Sequence, residues 1–124
     1  MKRLKALGIV LSAPVVMGAA IASDHPPKDA VRDATPLELA AIKTSLELDL
    51  KDAQSARLQD VRVKGEKFCG FVNSKNSYGA YAGYIPIMGM LLMIKGVQTA
   101  YVFGIDSPEV TRAMCKDWGL PLRP

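Results

Sequence analysis

Two cysteines constrain this chain more than any other feature: Cys69 and Cys115, 46 residues apart, are the only ones among its 124 residues. Joined, they tie the element that holds Cys69 to the C-terminal end of the chain. Closing a loop of that span stabilises a fold by about 4 kcal/mol in the chain-entropy picture. A domain of about a hundred residues has little core for its surface, so this is a large share of its total stability. The alternatives are two free thiols or a metal pair. A zinc site is poorly served here, because the sole histidine, His25, lies far from both in a proline-rich stretch. Between disulfide and thiols, the compartment decides.

The N-terminus speaks to the compartment. Met1-Lys2-Arg3-Leu4-Lys5 carries three positive charges and no acid, and an apolar run follows from Ala6 to Ile21. Ala20-Ile21-Ala22 then supplies a small-x-small cleavage pattern ahead of the polar Ser23-Asp24-His25-Pro26-Pro27. Residues 1–22 therefore read as a cleavable secretory signal peptide. A spanning helix wants about 20 apolar residues, and this run is shorter and holds Pro14. No cysteine stands at the junction, so a lipid anchor is not expected either, and no stable membrane anchor remains after cleavage. The expected location is periplasmic or secreted, which favours the Cys69–Cys115 disulfide. Charge follows the same cut. The chain carries 16 basic and 12 acidic residues, net +4. Lys2, Arg3 and Lys5 leave with the signal, so 13 basic residues remain against 12 acidic ones, net +1. No footprint for a nucleic acid backbone survives.

Residues 23–34 are polar and read as a flexible tail, and residues 35–124 as a single domain. Thr35-Pro36-Leu37-Glu38 is a strong helix start, with Thr35 as cap, Pro36 in the first position and Glu38 completing a capping box. Leu39, Ile42, Leu46 and Leu50 fall at helical spacing. Lys51 to Ala56 reads as a connecting turn. Leu58–Val63 and Phe68–Val72, around Lys64-Gly65-Glu66-Lys67, suggest one hairpin. A polar loop, residues 73–83, leads to a long apolar strand from Tyr84 to Ile94, where Pro86 and Gly89 argue for an edge position or a bulge. Lys95-Gly96 turns it into a returning strand, Val97–Phe103. A last helix opens with Ser107 as cap and Pro108, places Val110, Met114 and Trp118 on one face, and stops at Gly119. The expected class is α+β: a small antiparallel sheet of two hairpins, flanked by an N-terminal and a C-terminal helix that cover one face, pinned by one disulfide.

The only histidine lies in the tail, so histidine-based hydrolase arrangements are excluded in practice. A carboxylate-based glycan hydrolase is the surviving enzymatic option, but the acids alternate with lysines and leucines and read as solvated surface. No enzyme and no cofactor is expected. Met88, Met90 and Met93 could hold copper(I) through their thioethers; core filling is the commoner use of methionine, and no metal is expected. Arg57, Arg62 and Lys64 with Asp60 read as the solvent face of a half-buried strand.

The most unusual segment is Asn73 to Tyr84. It holds three of the four tyrosines, with Asn73, Asn76 and Lys75. Tyrosine supplies rigid contact area with a polar tip, and amides supply hydrogen bonds, a composition suited to recognition. The plainer alternative is that the glycines and asparagines build turns and the tyrosines pack back on the sheet. The segments Asp52-Ala53-Gln54-Ser55-Ala56-Arg57, Cys69-Gly70-Phe71-Val72-Asn73 and Lys75-Asn76-Ser77-Tyr78-Gly79, with Tyr81, Gly83 and Tyr84, resemble a group of small exported bacterial proteins of uncharacterised function. That group carries a CG-x-x-N-x-KN-x-x-G-x-Y-x-GY segment, and this chain departs from it at Ala53, where the group tends to have proline. The resemblance implies bacterial origin and export and brings no activity or ligand.

Together these readings point to an exported binding or inhibitor-like module that recognises an envelope protein or glycan. Asn73, Lys75, Asn76, Tyr78, Tyr81 and Tyr84 are its expected contacts. The rival is a structural accessory subunit associating through the apolar 85–94 strand, with homodimerisation as one form of it.

Overall fold

The computed structural model describes residues 29–123 together with Gly8, Ser12 and Pro27; the signal peptide expected over 1–22 lies outside the described stretch apart from two isolated positions. Among the described residues no helix is long and apolar enough to cross a membrane. The elements run β1 (Arg32–Asp33), α1 (Pro36–Leu46), β2 (Arg57–Lys64), β3 (Lys67–Lys75), β4 (Tyr81–Ile94), β5 (Val97–Phe103) and α2 (Pro108–Asp117). The strands form one antiparallel sheet in the order β1-β2-β3-β4-β5. The α+β class expected from the sequence is the class observed.

The start of α1 follows its local chemistry. Thr35 Oγ1 accepts from the Glu38 amide at 3.2 Å, and the Glu38 carboxylate accepts from the Thr35 amide at 2.9 Å. Glu38 also takes Arg32 in a two-pronged contact, 2.6 and 2.9 Å. That clamp is why the last part of the expected tail is ordered. It draws Arg32–Asp33 alongside β2, where Arg32 pairs with Val63 and Asp33 with Arg62. At its other end α1 stops at Leu46 rather than running to Leu50. The amides of Glu47, Leu48 and Asp49 turn back three residues instead of four, which tightens the chain out of the helix. A short 3-10 turn, Ala53–Ser55, then buries Ala53 and leads into β2.

The two expected hairpins are present and are joined by a third, so β2 to β5 form a continuous meander. β4 is an interior strand, paired with β3 from Tyr81 to Met90 and with β5 from Met88 to Ile94. The edge expected from Pro86 exists only locally. Pairing with β5 begins at Met88, so on that side of Pro86 there is no ladder for its missing N–H to interrupt. Gly89 marks neither an edge nor a bulge. A Cβ there would lie 2.0 Å from the Tyr101 carbonyl oxygen and 2.5 Å from the Phe68 ring. Glycine is what lets that fully buried ring pass beneath β4.

Side chains alternate along each strand, and the two helices take opposite faces of the sheet rather than sharing one. Phe68, Val72, Ile87 and Leu91 pack on one side with Ile42 and Leu46 of α1. Cys69 and Met88 face the other side, with Cys115, Leu120, Met114 and Trp118 from α2 and the chain beyond it. The Cys69–Cys115 disulfide forms, with Cα atoms 6.1 Å apart, the mark of an oxidising compartment. It also sets the roll of α2. Thr111 and Cys115 are the buried positions, while Val110 is exposed. Ser107 does not cap this helix with its side chain. Its backbone carbonyl still receives the Thr111 amide, while the Thr111 hydroxyl donates to the Gly104 carbonyl. At the end, Gly119 (φ 76) and Leu120 return their amides to Lys116 and Cys115 as a Schellman motif, with Leu120 fully buried.

Candidate functional site

The segment from Asn73 to Tyr84 is the β3–β4 hairpin, with only Asn76 to Ala80 outside the strands. Its turn is closely tied. The Asn76 amide donates to the Ala80 carbonyl at 2.7 Å and the Gly79 amide to the Asn76 carbonyl at 3.0 Å. Asn76 Oδ1 accepts from the amides of Tyr78 and Ala80 at 3.0 and 3.1 Å, the asparagine turn chemistry that substitutes a side chain for backbone. Asn73 is buried, and its Oδ1 accepts from the Gly83 amide at 3.0 Å. There the register between β3 and β4 shifts and Gly83 takes φ 104, a conformation that glycine adopts without strain. Tyr81 donates its hydroxyl to the Ser55 carbonyl at 2.9 Å, with Arg57 stacked 4.0 Å from its ring centroid and the Lys75 ammonium 5.6 Å away.

The six expected contacts therefore divide. Asn73, Asn76 and Tyr81 hold the hairpin's shape. Lys75, Tyr78 and Tyr84 face solvent, and Tyr78 at the tip is 96% exposed.

Tyr84 belongs as well to a surface that sequence reasoning passed over. It stands opposite Asn73, and two residues along in the same alternation Pro86 stands opposite Phe71, with Gln59 opposite Phe71 on the other side. This is the face that carries α2, whose packed cluster with the following chain centres on Cys69 and Met88, while Asn73 and Pro86 are also buried and Tyr84 is exposed. Over the remainder, Gln59, Asp60, Phe71, Tyr84 and Arg123 line an open cleft of about 500 Å³. Asp60 sits at a bulge between Gln59 and Arg62 with φ 49. Its carboxylate lies 3.9 Å from Arg62 Nε and 3.7 Å from Arg123 Nε. Arg62 is mostly buried, donates from Nη2 to the Pro121 carbonyl, and leaves Nε without a hydrogen-bond partner. Arg112 of α2 holds its guanidinium carbon 5.8 Å from the Phe71 ring centroid.

The β2 charges expected to be a plain solvent face thus include Asp60 and Arg62, which sit beneath the C-terminal segment. An uninterrupted alternation could not reveal this, because the bulge inserts a residue and resets which side chains share a face. The methionines do not converge: Met88 and Met90 share the α2 face, while Met93 points to the opposite one and is exposed. Among the described residues no group of three or more histidine, cysteine or acidic side chains is placed to hold a metal. No family model, no curated protein and no solved structure matches this chain.

Proposed function

We propose that this protein is a bacterial envelope recognition module, periplasmic or secreted, that binds another envelope protein or a glycan through the β3–β4 hairpin. The observation that supports this most is Tyr78, almost wholly exposed on a turn fixed by four hydrogen bonds. A large side chain held out on a rigid support loses little conformational freedom on binding. An inhibitor of an envelope hydrolase is one concrete version, with Tyr78 as the inserted residue and Lys75 beside it. Envelope extract passed over the immobilised exported protein should leave a retained component. Retention should be lost with Tyr78→Ala and kept with the distant Lys43→Ala. Equal retention by both variants, or none by the unaltered protein, refutes the reading.

One observation favours a second reading, a structural subunit, on different residues from those first expected. Every residue of the 85–94 strand is paired on at least one side, and Met88–Met90 on both, whereas among the described residues no strand pairs with the outer edge of β5 along its whole length. Val97–Phe103 carries no charge and no proline, the usual protections of an edge, and Val97 is 64% exposed. Lys95-Gly96 is a two-residue turn closed by Ile94 and Val97, which directs the backbone groups of Gln98, Ala100 and Val102 outward. The Val102 amide already donates to Ser45 Oγ at 3.2 Å. A second copy pairing on Gln98 and Ala100 alone would place Thr99 opposite its own counterpart. Thr99→Cys should then form a disulfide-linked dimer on mild oxidation, and Ala100→Cys should not. A Thr99→Cys protein that stays monomeric rejects this register.

A further inference from the structure

The partly open half of the α2-side face carries chemistry that the hairpin tip does not. We propose that this half-face binds an acidic sugar residue, with its ring on Phe71 and Tyr84 and its carboxylate on the Arg123 guanidinium.

The floor comes first. Phe71 and Tyr84 lie on the same side of adjacent strands, offset by two residues, with the Gln59 amide beside Phe71. Two aromatic rings next to a side-chain amide suit a ligand with a flat apolar face and hydroxyls at its rim. The cleft, about 500 Å³, is in the usual range for a small-molecule site.

The rim decides the charge. Among the described residues one carboxylate, that of Asp60, lines the cleft, and three guanidinium groups stand near it: Arg123 at the cleft, Arg62 on the other side of Asp60, and Arg112 near the Phe71 ring. The two Asp60 contacts, 3.9 and 3.7 Å, exceed the roughly 2.7–2.9 Å of a charge-assisted hydrogen bond. Asp60 therefore offsets part of the guanidinium charge without consuming the donors. Arg123 is 69% exposed, and its fork remains available for the two-pronged contact that a carboxylate accepts.

The backbone adds an independent pointer. Asp60 occupies the left-handed region at φ 49, which costs a non-glycine residue on the order of 1 kcal/mol. That strain, at a bulge, places the Asp60 carboxylate between Arg62 and Arg123. A nucleic acid strand would need a run of phosphate contacts, which a cleft sized for one ring does not provide.

This proposal shares only Tyr84 with the hairpin-tip reading, so the two can fail separately. The test is a titration of the ¹⁵N-labelled exported protein, followed by amide resonances, with a galacturonic acid disaccharide and with the neutral galactose disaccharide. The acidic sugar should move the resonances of Gln59, Phe71 and Tyr84, and the neutral one should bind about tenfold more weakly. Arg123→Ala should weaken the acidic sugar by about tenfold, and Tyr84→Ala should weaken both. Asp60→Asn keeps a residue that tolerates positive φ and removes the competing carboxylate, so it should tighten the acidic sugar. A cleft selective for cations would show the opposite sign. Tyr78→Ala should leave every titration unchanged. Equal binding of the two sugars, weaker binding by Asp60→Asn, or no movement at Gln59, Phe71 and Tyr84 with either sugar overturns the proposal.

Discussion

Removing the disulfide tests how much of this fold rests on a single bond. The perturbation is the double variant Cys69→Ala/Cys115→Ala, studied beside the unaltered protein kept under reductant. The bond spans 46 residues, and the loop-closure entropy restored to the unfolded chain corresponds to about 4 kcal/mol at 25 °C. A domain of this size has roughly 5–15 kcal/mol in total, so between a quarter and most of its stability is at stake. With a urea m-value of about 2 kcal/mol/M, the midpoint should fall by about 2 M.

The structure also says where the loss appears first. α2 meets the sheet through Cys115, Met114, Trp118 and the following Leu120, whereas α1 and the opposite face have their own core. Trp118 is the only tryptophan, so its fluorescence reports the docking of α2 while far-ultraviolet circular dichroism reports the sheet. Without the bond, the fluorescence transition should precede the dichroism transition; with it, the two should coincide. A shift of under about 1 kcal/mol by both probes would refute the entropic reasoning. Coincident transitions in the double variant would refute the view of α2 as separately held.

Two further outcomes follow from the packing. Glu38 is buried and its carboxyl is held below its ordinary value of 4.5, chiefly by the hydrogen bonds from Arg32. A lowered folded-state value means that the stability it contributes is present above the ordinary value and is lost as pH falls through the folded one. Glu38→Gln should therefore cost about 1–2 kcal/mol at pH 7, moderated by water at the 38%-exposed Arg32. The gap to the unaltered protein should narrow as pH falls below 4.5 and close once it is below the folded-state value, in denaturation measured across pH; a gap independent of pH would refute the ionic account. Gly89→Ala should cost at least 3 kcal/mol, at the upper end of overpacking penalties, because the nearest obstacle is backbone, the Tyr101 carbonyl oxygen. Trimming the other obstacle with Phe68→Leu should not restore it, and a melting temperature within 2 °C of the original would show that β4 and β5 can part without cost.

Much of the fold was legible because its signals are local. Thr35 to Glu38 contains all four residues of a capping box, and the structure makes both of its bonds. Lys95-Gly96 and Gly65-Glu66 turn where the chain leaves one apolar run for another. The disulfide was legible for a different reason: an expected export signal and an even cysteine count do not depend on geometry. What escaped depends on partners distant in sequence. β1 is two residues long, and it is ordered by Val63 and Arg62, some thirty residues on. The opposite placement of the two helices follows from Cys69 pointing away from Phe68, a consequence of register that the helices' own sequences do not carry.

The candidate site shows the same division at the level of single side chains. Composition singled out Asn73 to Tyr84, but composition does not separate a residue that shapes a turn from one that the turn displays. Asn76 and Tyr78 are two residues apart; one accepts two amides and the other touches little but water. The cleft beside Tyr84 left still less trace. Its residues come from β2, β3, β4 and the C-terminal segment, and Arg123 lies in no helix or strand that periodicity could reveal. Its existence follows from lengths. The ten residues of α2, fixed at Cys115, cover one end of a face on which β4 alone runs for fourteen residues. A helix at 1.5 Å per residue reaches about 15 Å, while a strand at about 3.3 Å per residue runs over 40 Å. With its roll and position set by the disulfide, α2 leaves the loop end of this face only partly covered. There the side chains change from Cys69 and Met88 to Phe71, Tyr84 and Gln59, residue types that can meet a polar ligand as readily as water.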